Sequence, residues 1–280
     1  MNWQSLIAKI APEDLALLTE LLFAHQAQAV SHSECSTSPK IVEINALFEE
    51  DIDLDRLAPI LKAALGKDKF FAYRIEKFKD KDWIEYLQQQ YRPIKIAEGL
   101  WIVPAWCSPL EPEALNIMLT PGIAFGTGQH PTTKMCLRWL KKMIKNTDWV
   151  LDYGCGSGIL GIAALKLGAQ AAYGTDIDPQ ALLASQENAR LNKVKFPVFH
   201  PTQLPDLKFN IILANIWFKV LIELIPTFKK YLKPQGYLVL SGINQQQASA
   251  LRQHLTPWFY SEELWQEGEW CCLISRQYKN

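Results

Sequence analysis

Val150-Leu151-Asp152-Tyr153-Gly154-Cys155-Gly156-Ser157-Gly158 constrains this chain more than any other stretch. An apolar run of strand character passes into three glycines at alternate positions, and the helical pattern Gly158 to Leu167 follows. Glycines let a backbone approach a ligand where any Cβ would collide. They also serve tight turns that bind nothing, so the neighbouring segment decides. Gly174-Thr175-Asp176-Ile177-Asp178-Pro179 places an acid 22 residues after Gly154, at the end of the next apolar run and beside the same crevice. There Asp176 can accept both hydroxyls of an adenosine ribose. Asp178, immediately before Pro179, reads instead as the cap of the following helix.

The glycine spacing separates two kinds of ligand. A dinucleotide fingerprint has glycines at its first, third and sixth positions, because the pyrophosphate sits against the helix N-terminus. Here the sixth position is Ile159. Gly154, Gly156 and Gly158 suit a ligand without pyrophosphate, which makes S-adenosylmethionine the expected cofactor. Upstream, Pro121-Gly122-Ile123-Ala124-Phe125-Gly126-Thr127-Gly128-Gln129-His130-Pro131-Thr132-Thr133 leads into an amphipathic helix with Leu137, Leu140 and Ile144 on one face. Pro131 marks its first turn. Backbone N–H groups there, with the Thr133 hydroxyl, can hold the cofactor's carboxylate, and Phe125 and Thr127 of the loop are assigned to the cofactor as well. His130 is read as packing and hydrogen-bonding within the loop rather than as a base. Asn215, in Leu213-Ala214-Asn215-Ile216-Trp217-Phe218, closes a later apolar run. Its side-chain oxygen can accept hydrogen bonds from an amine and aim the nitrogen lone pair for in-line displacement. Asn215 is therefore the candidate catalytic residue and a further cofactor contact.

Around these motifs, short apolar runs at Val150 to Tyr153, Ala171 to Thr175, Phe209 to Ala214 and Tyr237 to Leu240 alternate with helical patterns such as Pro179 to Leu191. Such alternation implies a parallel sheet covered on both faces. Trp258 to Leu264 and Trp270 to Ile274 are joined by a link too short for a crossover helix, so they must pair antiparallel. Residues 2–78 read as strand, helix, strand, strand, helix, strand, with amphipathic stretches at Pro12 to Gln26 and Leu54 to Leu65, the order of a ferredoxin-like sandwich. Ser31 to Lys40 is polar and expected to be a loop. Lys81 to Gln90 reads as a charged helical connector before Pro93. The expected domains are 1–78, the connector 79–92, and 93–280.

With 29 Lys plus Arg against 29 Asp plus Glu, no net field favours nucleic acid or an anionic membrane. No apolar run reaches the roughly 18 residues of a membrane span, and the first residues lack the basic end of a signal peptide. A cytoplasmic protein is expected. The six cysteines show no Cys-x-x-Cys pair and read as reduced and structural, with Cys271 and Cys272 on opposite faces of a strand. The histidines lack ligand spacing, so no metal is expected.

Taken together, the loop from Pro121 to Thr133, Asp152-Tyr153-Gly154-Cys155-Gly156-Ser157-Gly158-Ile159-Leu160, Gly174 to Pro179 and Leu213 to Ile216 closely resemble the bacterial ribosomal protein L-eleven methyltransferase family. The resemblance runs from about Lys79 to Trp270. It implies a class I methyltransferase (Rossmann-like) seven-stranded α/β sheet with a C-terminal antiparallel hairpin, beside the small α+β ferredoxin-like domain. It also implies methylation of lysine ε-amines and the N-terminal α-amine of ribosomal protein L-eleven, with Thr133, Gly154, Asp176 and Asn215 matching the family's cofactor-contacting positions. The 1–78 domain is then expected to recognise the substrate protein, and the enzyme to act as a monomer. The alternative is a methyltransferase of the same fold acting on another protein or a small-molecule amine. Several positions depart from the family's pattern: Thr120 where an acid is usual, Gln129, Leu87, and Trp217 and Val220 within the usual Asn-Ile-Leu-x-x-Pro.

Overall fold

A computed structural model describes residues 2–34, 41–66, 70–79, 91–120 and 128–279. The chain divides into two compact units, 1–90 and 91–280.

The first unit runs β1 (Asn2–Ile10), a 3-10 turn (Pro12–Asp14), α1 (Leu15–Ala24), β2 (Ala29–Glu34), β3 (Val42–Glu49), α2 (Leu54–Leu65) and β4 (Phe70–Lys79). Its sheet has the order β2-β3-β1-β4 with every pairing antiparallel, the ferredoxin-like topology. Period-two alternation puts Leu6, Ala8 and Ile10 of β1 beside Ile44, Ala46 and Phe48 of β3, on one buried face. Against it pack Leu18 and Leu22 of α1 and Leu54, Leu57, Leu61 and Leu65 of α2, spaced at three and four residues as a helix stripe requires. Asp53 caps α2 by accepting the Arg56 N–H at 3.0 Å. The opposite face carries polar partners, among them Ser5 hydrogen-bonded to Asn45 and Arg74 paired with Glu43.

The expected loop from Ser31 to Lys40 needs correction. Ser31 to Glu34 belong to β2, paired residue by residue with Asn45 back to Val42. At the edge of the sheet a strand keeps one side in water, so its polar residues cost little there. Residues 35–40 and the expected connector helix at 81–90 lie outside the described residues.

The second unit begins with β5 (Ile94–Ala97), β6 (Leu100–Pro104) and β7 (Leu115–Leu119), a three-stranded sheet in that order. Then follow α3 (Pro131–Met143), β8 (Trp149–Tyr153), α4 (Ile159–Lys166), β9 (Ala171–Thr175), α5 (Pro179–Leu191), β10 (Val198–Phe199), β11 (Phe209–Asn215), α6 (Phe218–Glu223), α7 (Ile225–Tyr231), β12 (Leu232–Asn244), α8 (Gln245–Leu255), β13 (Phe259–Glu267) and β14 (Trp270–Gln277). The large sheet has seven strands in the order β10-β9-β8-β11-β12-β14-β13. Its first five strands are parallel, and β14 runs antiparallel to both β12 and β13.

Both faces of this sheet are buried, which is why its strands read as continuous apolar runs. Val150, Ile211, Leu213, Val239 and Ile274 face one core with Leu137, Trp139 and Leu140 of α3 and Ile159 to Ala164 of α4. Leu151, Ile212, Ala214, Leu238 and Leu240 face the other with Phe228 of α7 and Leu251 of α8. Adjacent Cys272 and Cys271 fall one in each core, as their position on a strand requires. The chain winds from β8 outward through β9 to β10 and returns to lay β11 on the other side of β8. The direction of winding therefore reverses at β8, and a crevice opens beyond its carboxyl end. None of the described helices is long and apolar enough to cross a membrane.

Candidate active site

The turn after β8 has Gly154, Gly156 and Gly158 at φ of 73°, 53° and 77°, a region an L side chain enters only with strain. Gly154 and Cys155 donate their N–H groups to the Thr175 carbonyl at 2.7 and 3.0 Å, fastening the turn to the end of β9. A Cβ on Gly154 would lie 2.4 Å from the Ile216 side chain. One on Gly242, just inside β12 and itself at φ 85°, would lie 2.5 Å from the Ile216 carbonyl oxygen. Residue 216 is thus wedged between two glycines. The closeness expected of Gly154 is used at least partly by this neighbour, a demand that the sequence pattern alone does not distinguish from that of a ligand.

Asp176 follows β9 and is half-buried. Its Oδ2 accepts the Gly156 N–H at 2.9 Å and its Oδ1 accepts the Asp178 N–H at 3.0 Å. Each oxygen keeps acceptor capacity for a further donor, so the carboxylate is oriented without being used up. Asp178 caps α5 by accepting the Gln180 N–H at 2.8 Å. Asn215 ends β11, and its Nδ2 donates to the Thr133 hydroxyl of α3 at 3.2 Å. That bond uses the Asn215 amide nitrogen and leaves its oxygen with acceptor capacity. Thr132 and Thr133 are themselves buried in the first turn of α3. His130 caps α3: its Nδ1 lies 2.7 Å from the Thr132 hydroxyl, and its ring meets Trp270 edge-on at 4.7 Å. Phe125 and Thr127 lie outside the described residues.

Two parts of this arrangement escape a motif-by-motif reading. Asn188, on the buried side of α5, accepts the Thr120 N–H and donates to the Ser157 carbonyl, both at 2.9 Å. One residue therefore ties the end of β7 to the glycine turn. One turn on, Asn192 accepts the Met118 N–H at 2.8 Å and donates back to the Met118 carbonyl at 2.6 Å. The second is Asp152, the acid before the glycines. It is buried and accepts the Gly161 N–H at 2.9 Å, bracing the first turn of α4. Burial pushes its carboxyl up from 3.8 to about 8; the Gly161 N–H opposes that shift and the charge of Asp176 adds to it. Burial likewise raises the Cys155 thiol, which lies 3.3 Å from the Ser185 hydroxyl and is inert as a nucleophile. Among the described residues, no group of three His, Cys, Asp or Glu side chains is placed to hold a metal ion.

The family model described as "Ribosomal protein L11 methyltransferase" matches residues 2–278. This chain belongs to that family. It is 42% identical over 238 residues to the ribosomal protein L11 methyltransferase of Vibrio parahaemolyticus, covering 84% of this chain and 81% of that one. It is 38% identical over 293 residues to that of Pseudoalteromonas atlantica, covering 99% and 100%. A solved ribosomal protein L11 methylase from Lactobacillus delbrueckii subsp. bulgaricus superposes with a TM-score of 0.63 at 34% identity, over 68% of this chain and 100% of that one. The chain is accordingly a methyltransferase of class I fold, and S-adenosylmethionine is its cofactor. The geometry fits this cofactor. The oriented carboxylate of Asp176 stands at one side of the crevice, the first turn of α3 with Thr133 at the other, and the glycine turn lies between them.

Asp152 makes this methyltransferase sensitive to pH in a definite sense. The group ionises near 3.8 when unfolded and near 8 when folded, so between those values the folded chain holds the extra proton. Its contribution to stability is complete below about pH 4 and is lost as pH rises to about 8. Asp152→Asn keeps an acceptor for Gly161 and removes the titration. The variant should gain on the wild type by a few kcal/mol across that window, read as a difference in melting temperature that widens from pH 5 to pH 8. A difference that stays constant with pH would show that Asp152 titrates normally.

Proposed function

We propose that this chain transfers methyl groups from S-adenosylmethionine to lysine ε-amines and the N-terminal α-amine of ribosomal protein L11, acting as a cytoplasmic monomer. The observation that carries the reading is the Asn215–Thr133 hydrogen bond. It fixes the Asn215 amide at the same carboxyl ends of the strands as the glycine turn and Asp176, in a chain matched to the family along its length. When bound, the cofactor supplies a methyl group carried on a sulfonium leaving group. The protein's part is to bind, to orient and to exclude water. Asp176 would hold the two ribose hydroxyls with the acceptor capacity left to its oxygens. The first-turn N–H groups of α3, with Thr133, would hold the carboxylate. Asn215 would accept an N–H of the incoming amine through Oδ1, leaving the nitrogen lone pair pointed into the crevice. Gly154 and Gly156 would form the floor, and Phe125 and Thr127 would be further cofactor contacts.

The acceptor must be neutral to react. For a lysine, deprotonation at pH 7 costs roughly 4.6 kcal/mol, and desolvation in the crevice together with repulsion from the cofactor's sulfonium would lower that cost further. Such a sum needs no dedicated base. The capping role of His130 is consistent with this.

The first unit is the part that a methyltransferase acting on small molecules would not need, and we assign residues 1–78 to recognition of the protein substrate. Residues 79–92 would serve as a connector that lets one docked substrate offer several amines in turn. The domain that carries out transfer is 93–280.

Incubating the purified chain with ribosomal protein L11 and S-adenosylmethionine should add methyl groups to lysines and the N-terminus, read by mass spectrometry of peptides. An unmodified protein would redirect the search to other amines. Asp176→Ala should weaken cofactor binding by about 1.5–3 kcal/mol, read by titration calorimetry; unchanged affinity in a folded variant would place the adenosine elsewhere. A chain shortened by residues 1–78 should bind the cofactor normally yet leave the ribosomal protein unmethylated, and full activity of that remnant would reject the recognition role.

A further inference from the structure

Trp217 is 81% exposed, and its side chain makes no hydrogen bond or ring contact among the described residues. An indole so placed contributes nothing to the core, whereas a tryptophan free to fold inward gains one of the largest burial energies of any side chain. Two features hold it out. Its neighbour Ile216 is wedged between Gly154 and Gly242, so the chain leaves β11 along a fixed path. Its own extended backbone, at φ −61° and ψ 139°, then starts α6, with the Leu221 N–H bonded to the Trp217 carbonyl at 3.1 Å. Val220, three residues on and therefore on the same side of α6, is 40% exposed. An apolar pair thus stands beyond the carboxyl end of β11, two and five residues after Asn215. Both positions depart from the Asn-Ile-Leu-x-x-Pro pattern of the family.

We infer that Trp217 is a specificity-determining residue for the acceptor. Its indole, continued by Val220, forms the wall along which the alkyl chain of an incoming lysine lies while Asn215 holds the nitrogen. The chemistry matches on both counts. Four methylenes offer apolar surface to the ring, and an ammonium that has not yet lost its proton, or one already methylated, is drawn to the ring face. A planar, rigid side chain contributes this contact at little entropic cost, because few torsions must be frozen on binding. The inference rests on the reading of Asn215 as the residue that orients the amine.

The test compares wild type, Trp217→Ala, Trp217→Phe and Asn215→Ala in methylation of ribosomal protein L11, with cofactor affinity measured separately by calorimetry. Trp217→Ala should melt with the wild type and bind S-adenosylmethionine unchanged. Its KM for the protein substrate should rise about five- to thirtyfold, the range a desolvated aromatic–cation contact contributes. Trp217→Phe should recover most of that loss. Asn215→Ala should instead lower kcat, and no effect there would remove the orienting role on which the wall depends. An unchanged KM in Trp217→Ala, or a loss confined to cofactor affinity, would overturn the assignment while leaving the proposed function standing. Should the wild type fail to methylate the ribosomal protein, the wall is tested without it. The indole N–H cross-peak missing from the Trp217→Phe spectrum is followed during titration with N-acetyl-lysine methylamide in the presence of S-adenosylhomocysteine. A shift of that peak supports the wall, and a static peak rejects it.

Discussion

Ile216 is the keystone of the strand ends around the crevice. Its side chain lies against the backbone of Gly154 and its carbonyl against that of Gly242, at distances that leave no room for a Cβ on either glycine. These contacts draw the ends of three neighbouring strands, β8, β11 and β12, onto one residue. A side chain at position 154 or 242 would have to push the β11 exit outward, and the positive φ of both positions would resist that side chain as well. Asn215 and Trp217 flank the keystone, so their placement is a backbone property rather than a matter of rotamer choice.

A second brace works from below. Asn188 of α5 and Asn192 at its C-terminal cap satisfy backbone groups at the end of β7 and in the glycine turn. Asp152 does the same for the first turn of α4, and its burial makes the neutral carboxyl the resting form at neutral pH. The crevice is therefore bounded by side chains that are already committed to backbone groups. Such commitments keep a site in shape before any ligand arrives.

What was legible in the sequence follows from the range of the interactions involved. Asp178 as a helix cap depends on a residue two places away, and its role was visible from Pro179 alone. The parallel strands are legible because burial on both faces leaves unbroken apolar runs, and the closing hairpin because its link is too short for a crossover helix. Asn188 was silent, because its partner Thr120 lies 68 residues back and no local pattern marks the meeting. The strand character of Ser31 to Glu34 was hidden by polar residues that an edge strand tolerates. The small sheet of β5, β6 and β7 lacks the signal that marks the large one, because no helix stands between the apolar runs Leu100–Pro104 and Leu115–Leu119. For Gly154 the need for glycine was clear, but the close contact with Ile216 became visible only in three dimensions.

The position of β14 bears on how the chain is made. It is the last strand in sequence yet lies inside the sheet, paired with β12 on one side and β13 on the other. The first unit has its final strand by Lys79. The large sheet must wait for Gln277, and until then the backbone groups along β12 have no partner on that side. From the end of β12 at Asn244 to Gln277, at about 5–20 residues per second, that interval of synthesis lasts roughly 2–7 s. During it the large sheet presents an open, apolar edge along β12, which β14 then closes.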